Sequence, residues 1–409
     1  MIRWVVFLVV VVLLEVYAFQ AFRTLIKSRA FFAFYFITSA LALLFIVYQL
    51  FHFDRTVGQT PKTLATFGLL LLLYVPKLLI TIILFSEDVF RFFAGIIRLF
   101  SAENSTPFLD DRRRFVSQLA LGVAAIPFAS FLYGMTKGKY NFKVIRQTLF
   151  FEDLPEAFDG LTITQISDIH SGSFDNPEKI AYAIDLINQQ NSDLFLFTGD
   201  IVNTHATEMD PWISTFQKIK PHKYGSFSVL GNHDYGAYVK WASDAKRAAN
   251  FEAIKAIHSK INLKLLLNEH VKIKNEGQEI VLIGVENWGK NFAQVGDLNL
   301  AASGLKPSDF KILMSHDPSH WNEKVQHDAK HFHLTLSGHT HGLQFGIEIP
   351  GWIKWSPVQY VYKQWAGLYE NKKRYLYVNR GFGFHAYPGR VGIMPEITVF
   401  ELKKDKKAT

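Results

Sequence analysis

Gly231-Asn232-His233-Asp234 follows the apolar run Phe227 to Leu230 and sets an amide, an imidazole and a carboxylate side by side. Alone the tetrad says little. It gains meaning because other polar clusters occur in the same setting, each just after an apolar run: Asp168 with His170, Asp200 after Gly199, His316 after Ser315, and His339 with His341. Oxygen and nitrogen ligands suit hard or borderline divalent cations, so the clusters read as the ligands of a two-metal site. The chain has no cysteine, which excludes disulfides, thiolate metal sites and cysteine nucleophiles.

The runs that carry these clusters are rich in Ile, Val, Leu, Phe and Thr, and predict strands at 161–167, 193–198, 227–230, 279–285, 311–314, 333–336, 375–378 and 397–402. Between them, Asn176 followed by Pro177 opens a helix whose Ile180, Ile184 and Ile187 share one face, and a second helix is expected over much of 239–259. Alternating elements of this kind predict a layered α/β domain, whose ligand-binding residues gather in loops beyond the carboxyl ends of strands. Every cluster sits in such a loop. Two cations close together need a shared anion, and Asp200, after a strand and a flexible glycine, is the natural bridge. Asp168 and His170 can serve one metal from a single turn, His339 and His341 can serve different metals, and Asn232 with His316 complete the second site.

In order along the chain, Asp-x-His, Gly-Asp, Gly-Asn-His-Asp, a lone His after a strand and Gly-His-x-His resemble the calcineurin-like metallophosphoesterase family, over about 151–402. Leu154-Pro155, Phe158-Asp159-Gly160 and Pro395-Glu396-Ile397-Thr398 are similar to its membrane-associated bacterial branch. The resemblance implies a four-layer α/β sandwich of two mixed sheets flanked by helices. It implies Asp168, His170, Asp200 and His341 on the first metal, and Asp200, Asn232, His316 and His339 on the second. His233 would be the general acid or transition-state donor, with Asp234 fixing its tautomer. Manganese, iron or zinc would suit these ligands. A water bridging the cations would lose a proton near neutral pH and attack phosphorus in line, with no covalent enzyme intermediate. His385, in the glycine-rich run Gly381 to His385, and Arg390 are candidates for contact with the substrate phosphate. His205, His222, His270, His327, His331 and His333 lack motif context and read as surface or structural.

Ahead of this domain, apolar segments at 4–21, 31–51, 65–85 and 115–134 each approach the ~20 residues needed to cross a bilayer. The expected organisation is a transmembrane region at 1–136, a linker with a first strand at 137–160, and the phosphoesterase domain at 161–409. A cleaved signal peptide does not fit the first segment, whose start carries only Arg3 as a basic side chain. Arg23, Lys27 and Arg29 after the first span, with Arg91, Arg98 and Arg112 to Arg114 before the fourth, outweigh Arg55 and Lys62 in the second loop. The positive-inside rule therefore puts the first and third loops in the cytoplasm, and the catalytic domain on the outer side of a bacterial inner membrane. Lys137, Lys139, Lys143 and Arg146 run against that reading. Asp111-Arg112-Arg113-Arg114-Phe115-Val116 resembles a twin-arginine export signal, and its plainer reading is a charge anchor. Glu15 and Lys77 interrupt apolar spans and are expected to pair, beside a kink at Pro76.

The net charge of +8 includes a tail cluster of Lys403, Lys404, Lys406 and Lys407, and points to anionic lipid, not nucleic acid. Aromatic residues from Trp352 to Tyr369 suggest an interfacial belt or a packed rim. Together these features predict a membrane-anchored phosphohydrolase for a phosphomonoester, phosphodiester or pyrophosphate, lipid-linked by preference. The alternative is a membrane sensor or transport-associated protein whose metal domain binds phosphate ligands without turnover. Hydrolysis of non-phosphate esters is a third class that keeps the ligands but lacks the family's support.

Overall fold

The structure, a computed structural model, describes residues 2–99, 110–349 and 351–405. Lys406 and Lys407 of the basic tail lie outside the described residues. The chain divides into two compact units, one of residues 1–53 and 65–136, the other of 54–64 and 137–409.

The first unit is built from long helices α1 (Ile2–Leu25), α2 (Arg29–Phe51), α3 (Pro61–Leu99) and α4 (Asp110–Thr136). All four are long and apolar enough to cross a membrane, where a helix satisfies its own backbone groups and an open strand does not. Ala18 and Ala21 of α1, Ile80 and Leu84 of α3, and Ala120 and Ala124 of α4 share one buried cluster. Small alanines let the helix backbones approach closely. Glu15 and Lys77 do pair, at 2.6 Å, with Tyr35 donating to Glu15 at 3.1 Å and Lys77 donating to Ser39 at 3.0 Å. Pro76 lies inside α3 without ending it. Arg113, in the stretch resembling an export signal, binds Glu87 at 2.8 Å and Asp88 at 2.7 Å.

The second unit contains two six-stranded sheets. In chain order its strands are β1 (Lys143–Phe151), β2 (Leu161–Ile166), β3 (Leu194–Phe197), β4 (Ser226–Ser228), β5 (Lys264–Leu265), β6 (Glu269–Asn275) and β7 (Gln278–Gly284). They continue with β8 (Lys311–Met314), β9 (Leu334–Ser337), β10 (Ile347–Ile349), β11 (Ile353–Trp355), β12 (Gly367–Asn371), β13 (Arg374–Val378) and β14 (Glu396–Lys404). The first sheet has the order β1-β14-β2-β3-β4-β5 and the second β12-β13-β9-β8-β7-β6, each mixing parallel and antiparallel pairs. β10 and β11 form a separate hairpin.

Alternation along the strands divides the core. Leu161, Ile163, Leu194 and Leu196 of the first sheet meet Ile280, Leu282, Ile312, Met314, Leu334 and Leu336 of the second in one buried cluster, the layer between the sheets. On the outer face of the first sheet, Ile166, Phe195 and Phe197 pack against Ile180, Ile184 and Ile187 of helix α5 (Pro177–Asn188), whose N-cap Asn176 accepts from Lys179 N–H. On the outer face of the second, Val281, Ile283 and Leu313 pack with Trp321, Val325 and Phe332.

The strands read from apolar runs lie where expected to within a residue or two. Those not read, β5, β6, β10, β11 and β12, are short or expose much of their length, so no apolar run announces them, whereas β1 lies within the 137–160 stretch where a first strand is expected. The unit also reaches beyond 161–409, since β1 pairs with β14 along nine residues, Lys143 to Phe151 against Glu396 to Lys404.

Candidate metal centre

Strands β2, β3 and β4 are adjacent and parallel, as are β8 and β9. Their carboxyl ends carry all the clusters. Three groups of possible ligand atoms lie within 4.8 Å of one another: Asp168, His170 and His341; His170, Asp200 and His233; Asp200, His316 and His339. Asp200 belongs to two of them, the position a bridging carboxylate needs. Asn232 joins through its Oδ1, 2.6 Å from His339 Nδ1.

The loops are bent hard to bring these side chains together. Asp168, His170, Asp200, His339 and His341 all have positive φ, between 47° and 73°. Each non-glycine residue there costs on the order of 1 kcal/mol, and such strain collects at functional sites. Two glycines are required by space. A Cβ on Gly231 would stand 2.1 Å from Asp200 Oδ1, and one on Gly338 2.3 Å from Asp168 Oδ2.

The donor set fits divalent cations. Buried His170 Nδ1, His316 Nε2 and His341 Nε2 make no hydrogen bond among the described residues. His316 Nδ1 donates to the Thr198 carbonyl at 2.7 Å, so its Nε2 lone pair faces Asp200 Oδ2 at 3.1 Å. His341 Nε2 lies 3.2 Å from Asp168 Oδ1, and His170 Nε2 3.6 Å from Asp200 Oδ2. Electron-rich atoms held face to face in a buried site repel unless a cation or a proton lies between them. Burial alone would push His316 down, but the Asp200 and Asp168 carboxylates draw it up to about 10. A proton is thus held strongly where a metal would sit. Burial, then His233 and His341, keep His170 well below its usual range and hence neutral, as a ligand must be.

Two assignments made from the sequence need correction. Asp234 does not set the tautomer of His233: its carboxylate accepts from the backbone N–H groups of Gly231 at 2.8 Å, Ile201 at 2.9 Å and Asp200 at 3.0 Å. It ties the Asp200 loop to the Asn232 loop. The tautomer is set by the Asn203 carbonyl, which accepts from His233 Nδ1 at 2.7 Å and leaves Nε2 for the cleft. Arg390 does not clamp a substrate anion. Its guanidinium is fully buried and donates to the carbonyls of Gly383 at 2.6 and 2.9 Å, Arg380 at 2.7 Å and Gly381 at 3.1 Å, and to His341 Nδ1 at 3.1 Å. It holds the glycine-rich loop in place, and burial pulls it down to about 9.

His385 does line the cleft, an opening of about 580 Å³, with His233, Tyr238, Phe292 and Tyr362. The histidines read as structural line none of it. Asp317 was missed, although it directly follows His316. It is buried, 3.5 Å from His339 Nε2, and accepts from the Tyr362 hydroxyl at 3.2 Å. Tyr238 stacks on the His233 ring at 4.3 Å and accepts from Asn232 Nδ2 at 2.6 Å. Asn203 acts through its backbone, which no side-chain pattern discloses. The aromatic run divides: Trp365 is buried, Tyr362 faces the cleft, and Trp352 and Tyr360 are exposed.

Comparison with known proteins agrees with the geometry. Residues 161–343 match the family model of the calcineurin-like phosphoesterases, and residues 2–139 match a model described as a probable calcineurin-like phosphoesterase transmembrane domain. The chain is 29% identical over 253 residues to the uncharacterized metallophosphoesterase YkuE of Bacillus subtilis, covering 61% of this chain and 82% of that protein. It is 25% identical over 296 residues to YkoQ, an uncharacterized metallophosphoesterase of the same organism, covering 69% and 99%. A transmembrane protein with metallophosphoesterase domain from Danio rerio is 27% identical over 282 residues, 67% of this chain and 60% of that protein's length. Matched in both its membrane and its α/β parts, the chain belongs to the calcineurin-like metallophosphoesterases.

Proposed function

We propose that this membrane metallophosphoesterase uses two divalent cations to hydrolyse the phosphoester or pyrophosphate bond of an amphiphilic, lipid-linked substrate. The observation that carries the reading is the buried set of facing acceptors, with Asp200 shared between groups. Asp168, His170, Asp200 and His341 would hold one cation, and Asp200, Asn232, His316 and His339 the other. When bound, such cations neutralise phosphoryl charge and acidify water. The chain does the rest. His233, with Nδ1–H held by the Asn203 carbonyl, would give the Nε2 proton of its imidazolium form to the leaving oxygen and be left neutral. Its stacking on Tyr238 fixes the ring plane. Asp234, through backbone bonds, and Arg390, through backbone bonds and the His341 ring, fix the loops that would aim the ligands.

An apolar side to the substrate is supported by the walls of the cleft. Phe292, Leu343, Val358 and Val361 line it, and Leu343 and Val361 are 55% and 71% exposed. Such a rim suits a hydrocarbon more than a free nucleotide. An extracytoplasmic domain of a bacterial inner membrane protein is supported by the basic loops, and two of the four opposing charges have another use. Lys139 binds Asp175 and Arg146 donates to Gln190 at 2.7 Å, so both serve the domain's own fold.

The test is turnover by the full chain in detergent, loaded with manganese, iron or zinc, on an aryl phosphodiester and on a phospholipid phosphoester. Metal-dependent cleavage with close to two cations per chain is expected. Leu343→Asp with Val361→Asp should raise KM for the lipid and leave the aryl ester within about twofold, since only the apolar wall is changed. Activity that survives complete metal removal would overturn the reading.

A further inference from the structure

We infer that the loop joining α2 to α3 is a working part of the candidate active site, and that Gln59 in it is a positioning residue for His233. The inference rests on the reading of His233 as proton donor.

The loop belongs to the compact unit of the α/β domain, not to that of the helices it connects. Leu64 anchors it, buried in the same cluster as Tyr140, Phe142 and Phe384. From there the loop makes three attachments. Gln59 Oε1 accepts from the backbone N–H of Ala386 at 2.7 Å, and Gln59 Nε2 donates to Ser173 Oγ at 2.8 Å. The Arg55 carbonyl accepts from Lys240 N–H at 2.7 Å, next to Gly58, whose Cβ would stand 2.7 Å from Val239 Cγ1.

Each attachment lands one step from a group that touches the His233 ring. Ala386 follows His385, whose ring lies 4.6 Å from that of His233. Ser173 accepts from Asn203 Nδ2 at 3.1 Å, and the Asn203 carbonyl holds His233 Nδ1. Val239 and Lys240 follow Tyr238, which stacks on His233. Among the described residues, the remaining ring beside His233 is His170, at 4.8 Å, and it is fixed by its own loop. Three independent sides of one imidazole are therefore braced by a segment that the chain supplies more than a hundred residues earlier, from its membrane region. Gln59 is half-buried and touches no proposed metal ligand, so its effect is on orientation.

The experiment uses the full chain in detergent with manganese, and compares Gln59→Met, which keeps length and loses both polar bonds, with Ser173→Ala and His233→Ala. Aryl phosphate esters with good and poor leaving groups are the probes. Gln59→Met should lower kcat about tenfold for the poor leaving group, with KM and bound metal unchanged, since small misplacements of a positioned group carry costs of this size. It should fall less for the good one, which needs no proton, and be without further effect in the His233→Ala background. An equal loss for both leaving groups, or full additivity with His233→Ala, would overturn the inference. Hydrogen exchange gives a second readout that needs no turnover: the Ala386 amide should exchange faster in Gln59→Met, and an unchanged rate would also overturn it. If the parent chain binds metal but cleaves neither ester, the proposed function has failed separately, and the exchange result still decides whether the loop is attached.

Discussion

At the scale of single residues, the chemistry rests on which atom of each side chain is already occupied. His316 and His233 each give Nδ1 to a backbone carbonyl, of Thr198 and of Asn203, and so present Nε2 inward. Replacing His233 by Ala should lower kcat by about 10²–10⁴ with metal content unchanged, as for loss of a general acid; turnover assays beside metal analysis check it. Arg390 is predicted to behave differently. Arg390→Lys cannot satisfy the carbonyls of Gly381, Gly383 and Arg380 together, and each carbonyl left bare costs roughly 1–3 kcal/mol. Thermal melting should show a large loss of stability, whereas a rise in KM with stability intact would restore the anion-clamp reading. The candidate ligand residues could be singled out because each is a polar side chain after an apolar run. Asp234 and Arg390 were seen as residues but not for their roles. Asp234 acts on backbone groups and Arg390 mainly so, with one bond to the His341 ring, and backbone partners leave no trace in the pattern of side chains.

At the scale of elements, the strands with buried faces were legible and the exposed ones were not. β3 and β8 are buried at every position and read as plain apolar runs, while β6 alternates charged and apolar residues; β1, buried only at Leu149 and Phe151, was expected within 137–160 without bounds of its own. β1 nevertheless covers the edge of the first sheet. A soluble fragment beginning at Gly160 would leave the nine-residue β14 with an open edge, and should aggregate where a fragment beginning at Lys137 stays dispersed; light scattering distinguishes them. Among the helices, the Glu15 and Lys77 pair was expected from two charges in apolar surroundings. Lys77→Met should destabilise the chain in detergent by about 3–5 kcal/mol, because a buried carboxylate loses its cation. The double variant with Glu15→Gln should recover most of the melting temperature, and if it does not, the pair is not the source of the loss.

At the scale of the whole molecule, the candidate site draws on both sheets: β2, β3 and β4 carry one set of candidate ligands, β8 and β9 the other. Facing acceptors in their loops make the metal-free state the less stable one, so chelation should act on the fold as well as on activity. Metal at a hundredfold its dissociation constant adds about 2.7 kcal/mol, and its removal should lower the melting temperature of the α/β unit by several degrees, reversed by re-addition. A melt unmoved by chelation would mean that the acceptors are neutralised by protons instead. The fold class and the helical front of the chain were readable in advance. The contribution of 54–64 was not, because nothing local in a short polar connection tells which distant surface it will meet.

That connection also fixes a parity. Residues 54–64 and the domain that follows α4 form one compact unit, so the chain between them, α3 and α4, returns to the compartment it left. An even number of crossings is obligatory there, whichever way charge orients the protein. A tag placed at 26–28, between α1 and α2, must then report the opposite compartment from a tag after Asp405, and the absolute address of either one settles the address of the metal centre.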